Sequence, residues 1–207
     1  MKSYVHLKGS GREVTTIEAF DPTNTITVYN LNNVAISGLT VKVKAPISGG
    51  TTGINVQGSS VVTINDNSFI GPIPNSGTYA ISLDGSSSSL TVTGNIVTGF
   101  SNGIIALSPT AITGNTVMGN GVGINVGNTS VTISGNTITG NVQGIHIQDS
   151  SSPTIIHNRV TDNSTVDIYV GDGSIPNISS NIYDYITGTT GVGLYNVKSN
   201  GDPAPGP

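Results

Sequence analysis

Apolar and polar positions in this chain alternate in short bursts that return at a near-constant interval. One burst is an apolar residue, two small polar residues, Asn, any residue, then a second apolar residue. It reads Ile64-Asn65-Asp66-Asn67-Ser68-Phe69, Val92-Thr93-Gly94-Asn95-Ile96-Val97 and Ile112-Thr113-Gly114-Asn115-Thr116-Val117. It returns as Ile133-Ser134-Gly135-Asn136-Thr137-Ile138, Ile155-Ile156-His157-Asn158-Arg159-Val160 and Ile178-Ser179-Ser180-Asn181-Ile182-Tyr183. An earlier copy, Ile36-Ser37-Gly38-Leu39-Thr40-Val41, has Leu in place of Asn. Successive Asn positions lie 28, 20, 21, 22 and 23 residues apart. A second burst, a small residue followed by Ile, any residue and an apolar residue, interleaves at the same interval. Its copies include Gly53-Ile54-Asn55-Val56, Ala80-Ile81-Ser82-Leu83, Gly123-Ile124-Asn125-Val126, Gly144-Ile145-His146-Ile147 and Asp167-Ile168-Tyr169-Val170.

Alternation with period two predicts short strands, at least two in each unit, and no segment sustains a helical period. Gly, Asn, Ser and Asp between the bursts are residues that accept tight or left-handed turns. A unit of this size cannot bury its own apolar side, and stacking units one on another does so. Each strand then pairs in parallel with its counterpart in the next unit, about 4.8 Å away. The predicted fold is all-β: a right-handed parallel β-helix, or β-solenoid, of about eight coils with little or no helix. Residues 1–200 form the domain, and the Pro-rich close, 201–207, reads as a tail or the start of a linker. The recurrent Asn67, Asn95, Asn115, Asn136, Asn158 and Asn181 are expected to form a structural ladder. Each amide would donate to one neighbour and accept from the other, with Asn also tolerating the left-handed bend.

The repeats, typified by Thr132-Ile133-Ser134-Gly135-Asn136-Thr137-Ile138, resemble those of right-handed parallel β-helix proteins of the pectate-lyase-like superfold. The likeness runs over about residues 4 to 197 and implies a fold far more than a function. Members of that superfold usually carry an N-terminal cap, and none is visible before Tyr4. The chain is therefore expected to be a fragment or to associate end to end.

Composition then narrows the function. Gly, Ser, Thr and Asn make up about half of the 207 residues; 9% are charged and the formal net charge is -4. Seven Lys and Arg do not form the basic stripe of a nucleic-acid binder. There is no Cys, so disulfides and thiolate metal sites are excluded, and no apolar run is long enough to span a membrane. Between Lys44 and Arg159 there is no Lys or Arg, and the only acidic residues are Asp66, Asp84 and Asp149. That stretch lacks the paired carboxylates of a glycoside hydrolase. The resemblance also carries expectations that fail here. Neither the Asn-Thr-Asp, Asp-Asp, Gly-His-Gly and Arg-Ile-Lys motifs of polygalacturonases nor a lyase-type carboxylate cluster is present.

Two surface patterns remain as candidates. Outward positions of the second burst read Asn55, Ser82, Ile105, Asn125, His146 and Tyr169, with Tyr195 beyond them. His146, Tyr169 and Tyr195 are the candidate glycan-binding residues, because exposed rings beside amides and hydroxyls suit sugars. Outward positions of the Asn-bearing burst form a file of Thr and Ser that resembles the flat face of ice-binding solenoids, interrupted at Asn65, Ala111 and Ile156. A polar neighbourhood of Asp149, His157, Arg159, Asp162 and Asp167 is the fallback location for acid–base chemistry, although its spacing matches no catalytic or metal motif. Gly9-Ser10-Gly11-Arg12 lacks the Lys of a phosphate loop and reads as a turn. The combined expectation is a non-catalytic module, extracellular or on the cell surface, with a structural or glycan-binding role. Its partners would be a polysaccharide and further copies of itself, with no cofactor and no metal. The alternatives are a polysaccharide-active β-helix fragment and an ice-binding solenoid.

Overall fold

A computed structural model describes residues 4–19, 24–44, 50–72, 77–84, 89–171, 173–188 and 196–204. Among them lie 24 strands and no helix. The strands form three sheets of eight, each wholly parallel, and every third strand along the chain joins the same sheet. This is the topology of a parallel β-helix with eight coils. In the sixth coil, Thr132–Ser134 belongs to the first sheet, Thr137–Thr139 to the second and Gln143–Gln148 to the third.

The Asn-bearing burst is therefore two strands and not one. The corner falls on the residue before Asn, which holds the left-handed conformation: Gly94, Gly114 and Gly135 at φ 62–64°, and Asp66, His157 and Ser180 at φ 56°. The Asn itself does not adopt the bend. With the chain already turned, it can aim its amide along the stack.

The ladder is continuous. Asn67 Nδ2 donates to Asn95 Oδ1 at 3.1 Å, and Asn115 and Asn136 donate to the next oxygen at 3.0 and 2.9 Å. The file runs on through Asn158 and Asn181 to Asn196. Each side-chain oxygen also accepts the preceding ladder residue's backbone N–H, from Leu39 N–H to Asn67 Oδ1 through Asn181 N–H to Asn196 Oδ1. Leu39, where the Asn pattern breaks, thus tops the ladder with its backbone alone.

Inward side chains stack into apolar columns. The first sheet contributes Ile36, Ile64, Val92, Ile112, Ile133, Ile155 and Ile178, and the third Ile54, Ile81, Ile104, Ile124, Ile145 and Ile168, all essentially without solvent exposure. Phe69, Val97, Val117, Ile138, Val160 and Tyr183 fill the second. Burial pushes the Tyr183 hydroxyl up to about 12. A surface clasp joins distant coils: Arg12 Nη1 lies 3.2 Å from both Asp66 Oδ1 and the Gly94 carbonyl. Being exposed, it adds at most about 1 kcal/mol.

At the far end, part of the stretch read from sequence as a tail is held against the last coil. Val197 pairs with Ile182 and then with Pro203 after a turn, and Ala204 N–H donates to Asn196 C=O. Ala204 packs on the core, an apolar contact that a solvated tail would forgo. Ser199 N–H and Oγ–H both donate to Asp184 at 2.9 Å and hold its carboxyl below the usual carboxylate range.

Candidate functional site

The outer face of the third sheet carries one file of register partners: Thr27, Asn55, Ser82, Ile105, Asn125, His146, Tyr169 and Thr187. Period-two alternation puts them outward because their neighbours fill the core. His146 and Tyr169 are adjacent rungs. Their ring centroids are 4.6 Å apart, with planes tilted by 45°. Such a pair gains roughly 0.5–1.5 kcal/mol beyond its buried area. The rung after Tyr169 is Thr187, and Tyr195 lies outside the described residues.

His146 Nδ1 is 2.7 Å from Gln143 Oε1. An amide oxygen only accepts, so this contact places the proton on Nδ1 and leaves Nε2 as an acceptor. Partial burial lowers the His146 pKa below its ordinary 6.5, with the Asp149 carboxylate opposing the shift. The ring is thus neutral at neutral pH. Its contribution to stability is full above the ordinary value and is lost as pH falls through the lowered one.

On the rung before His146, Asn125 Nδ2 donates to Asn102 Oδ1 at 3.3 Å. Asn125 Oδ1 is buried and has no protein partner. The patch therefore combines half-exposed aromatic rings with a neutral imidazole acceptor, and the Asn125 oxygen lies closed off beneath it. A sugar offers the complement, with C–H faces for the rings and a hydroxyl for the nitrogen. No signal in the repeat marks Asn125 as unpartnered, since Asn recurs throughout the chain.

The fallback cluster does not converge. His157 and Asp162 occupy left-handed corner positions, exposed, at φ 56° and 59°. Asp149 sits at a third corner, also left-handed, and Arg159 projects from the second sheet. Asp167 is buried and structural. It accepts the Asp184 and Tyr185 backbone N–H groups at 2.8 and 3.0 Å and the Asn163 amide at 2.9 Å. That last contact closes a second Asn ladder, Asn120–Asn141–Asn163, between the second and third sheets. The sequence does carry its signal: Gly119-Asn120, Gly140-Asn141 and Asp162-Asn163 each follow the first ladder's Asn at a constant offset. Among the described residues, no three His, Asp or Glu side chains meet in a group that could hold a metal ion.

The Thr-rich faces lie on the first sheet. Thr63, Thr91, Ala111, Thr132 and Thr154 form one outward file, and Asn65, Thr93, Thr113, Ser134 and Ile156 the other. Thr113 Oγ1 donates to Thr93 Oγ1 at 3.1 Å, so these hydroxyls are partly spent on one another.

Three parallel sheets wound on one core define a β-helix module. More narrowly, the chain belongs to the family described as periplasmic copper-binding protein (NosD), which matches residues 1–166, the first six coils and part of the seventh. No curated protein matches it in sequence. Among solved structures, it is similar to the A-module of the Azotobacter vinelandii mannuronan C-5 epimerase AlgE6, at 16% identity and a TM-score of 0.39. That alignment covers 96% of this chain and 75% of the other.

Proposed function

We propose that this chain is a non-catalytic β-helix module working outside the cytoplasm, in the periplasm or on the cell surface, and binding a glycan through the third-sheet patch. The observation that carries the reading is the stacked pair of partly exposed rings, His146 and Tyr169, on adjacent outward rungs of the third sheet. Ring faces of this kind stack against the C–H face of a sugar, while the His146 Nε2 acceptor can take a sugar hydroxyl. The family's periplasmic description supports the location.

The same description names copper, and the donor set of this chain does not fit it. Copper sites draw on thiolates, thioethers and imidazoles. There is no Cys. Met118 is exposed on the second sheet with Thr98 and Thr139 as its register partners, and Met1 lies outside the described residues. His6 stands on the first sheet in the first coil, His146 on the third sheet in the sixth, and His157 at a corner of the seventh. No step is assigned to copper.

The test is a glycan array read with the wild type and with Tyr169→Ala, both confirmed as folded by circular dichroism. Truncating the ring is expected to weaken the hits by about tenfold, equivalent to about 1.4 kcal/mol. An array without hits, or hits that ignore the substitution, would remove the patch from the account.

A further inference from the structure

Two shallow hollows open on the outer face of the first sheet, with volumes of about 260 and 290 Å³. The first takes in Tyr4, His6, Asn33, Ala35, Val61 and Thr63. The second takes in Ser89, Thr91, Pro109, Ala111, Ser130 and Thr132. Register makes them one feature. His6, Ala35, Thr63, Thr91, Ala111 and Thr132 are successive rungs of a single outward file. Every other residue just named stands two positions earlier in its own coil. The two hollows lie in line along this file, a shallow trough in two stretches over six coils. At about 4.8 Å per coil, its five steps span roughly 24 Å.

We propose that this trough binds a linear, uncharged glycan laid along the helix axis, in step with the coils. Four features select that ligand. The walls offer the hydroxyls of Thr63, Ser89, Thr91, Ser130 and Thr132, in the third, fourth and sixth coils. Ala35, Pro109 and Ala111 keep parts of the floor low enough for a ring to settle. Tyr4, 67% exposed, presents an aromatic face at one end. No Lys, Arg, Asp or Glu lines either hollow, and His6 at one end is the single titratable imidazole in them, too little positive charge to match the repeated carboxylates or phosphates of a uronate or phosphate polymer.

Periodicity and edges argue against a peptide. An extended chain advances about 3.3 Å per residue, out of step with the coils, whereas a sugar residue in an extended glycan advances by close to one coil rise. A strand-adding peptide also needs an open sheet edge, and the strands from the second coil to the sixth are paired on both sides. The trough lies on a different sheet from the His146–Tyr169 patch and does not depend on it.

The experiment is calorimetric titration of the wild type, Ala111→Tyr, Tyr169→Ala and, as a control away from both faces, Met118→Ala. The probes are β-1,4-linked hexamers of glucose, mannose and N-acetylglucosamine, the corresponding dimers, and a hexamer of a uronic acid. Tyr is a good strand residue at a half-exposed position, so Ala111→Tyr blocks the trough without touching the core. Thr132→Tyr, at an exposed rung, is the equivalent block should the first variant fail to fold. The expected result is that at least one neutral hexamer binds ten or more times tighter than its dimer. That affinity falls at least tenfold in the blocked variant and stays unchanged in Met118→Ala, on the exposed face of the second sheet. The proposal is overturned if no neutral hexamer binds, if dimer and hexamer bind alike, or if the uronate hexamer binds as well as the neutral ones. It is also overturned if affinity follows Tyr169 and ignores the block, a result that assigns the ligand to the third-sheet patch alone.

Discussion

Replacing Asn136 with Ala is expected to lower the free energy of unfolding by about 3–5 kcal/mol. Asn136 stands mid-ladder and is 1% exposed. Its oxygen accepts the Asn115 backbone N–H at 2.8 Å and the Asn115 amide at 3.0 Å. Its nitrogen approaches the Asn158 oxygen, the Ile112 carbonyl and the Ser134 carbonyl at 2.9–3.1 Å. Alanine leaves the Asn115 backbone N–H without its acceptor and takes the Asn136 amide from the Asn158 oxygen and the Ile112 and Ser134 carbonyls, while the Asn115 amide keeps the Val92 and Thr113 carbonyls; a buried polar group left unsatisfied costs about 1–3 kcal/mol each. Nothing nearby can turn to replace them, because each neighbouring amide is already committed one coil further along. Urea denaturation measures the loss. The neighbouring Thr137→Ala, on an exposed outward position, is the control and should stay within about 0.5 kcal/mol of the wild type. A loss below about 1 kcal/mol for Asn136→Ala would mean that the ladder decorates the corner and does not hold it.

Gly144→Val is expected to cost about 3 kcal/mol or more, at the upper end of overpacking effects. A Cβ at this position would lie 2.4 Å from the Asp167 carbonyl, 2.6 Å from Val160 Cγ1 and 2.9 Å from Asn163 Nδ2. The first of these is backbone of the next coil, so relief requires prying two coils apart. The same approach recurs at Gly53, Gly103 and Gly123, each meeting a carbonyl of the next coil at 2.6 Å. That is why the second burst opens on a small residue. Gly135 is the contrast. Its φ is 64° and nothing but a distant backbone nitrogen faces it, so Gly135→Ala should cost only the left-handed strain of about 1–2 kcal/mol. Thermal unfolding of the two variants side by side should rank Gly144→Val clearly below Gly135→Ala. The reverse order would contradict the packing described for the third sheet.

These two positions also show why so much of the fold was legible. In a solenoid, each contact made by residue i is repeated one coil later, so a rule that constrains one coil writes itself several times into the chain. Ile124 and Ile145 disclose the core, and Asn115 and Asn136 disclose the ladder, because stacking demands the same side chain on successive rungs. What was misread is local. Periodicity places the corner at the Gly-Asn pair but does not say which of the two turn-forming residues carries the positive φ, and the structure puts it on the residue before Asn. The second ladder was overlooked because only Asn120, Asn141 and Asn163 occupy it, while Phe100 and Asp167 stand at its ends.

The site was less legible for the opposite reason. His146, Tyr169 and Asn125 depart from the repeat, so each occurs once and no neighbouring coil corroborates it. Their alternation showed that they face outward, and the sequence thereby placed His146 beside Tyr169. It held no sign that the Asn125 oxygen is left without a donor, or that two hollows on the first sheet share one file. Spacing along the chain also made a cluster of Asp149, His157, Arg159, Asp162 and Asp167. Winding the coil distributes them over separate corners and sheets, because residues a few positions apart in a solenoid can lie on opposite sides of its cross-section.

The central claim, that this β-helix holds a polysaccharide without cleaving it, is tested most directly by electrophoresis of the protein through gels cast with individual polysaccharides. The same polymers are then assayed for new reducing or unsaturated ends after incubation with the protein. The expected result is retarded migration in at least one neutral glycan with no new ends above the buffer control. Free migration in every polymer, or retardation accompanied by newly formed chain ends, would contradict it.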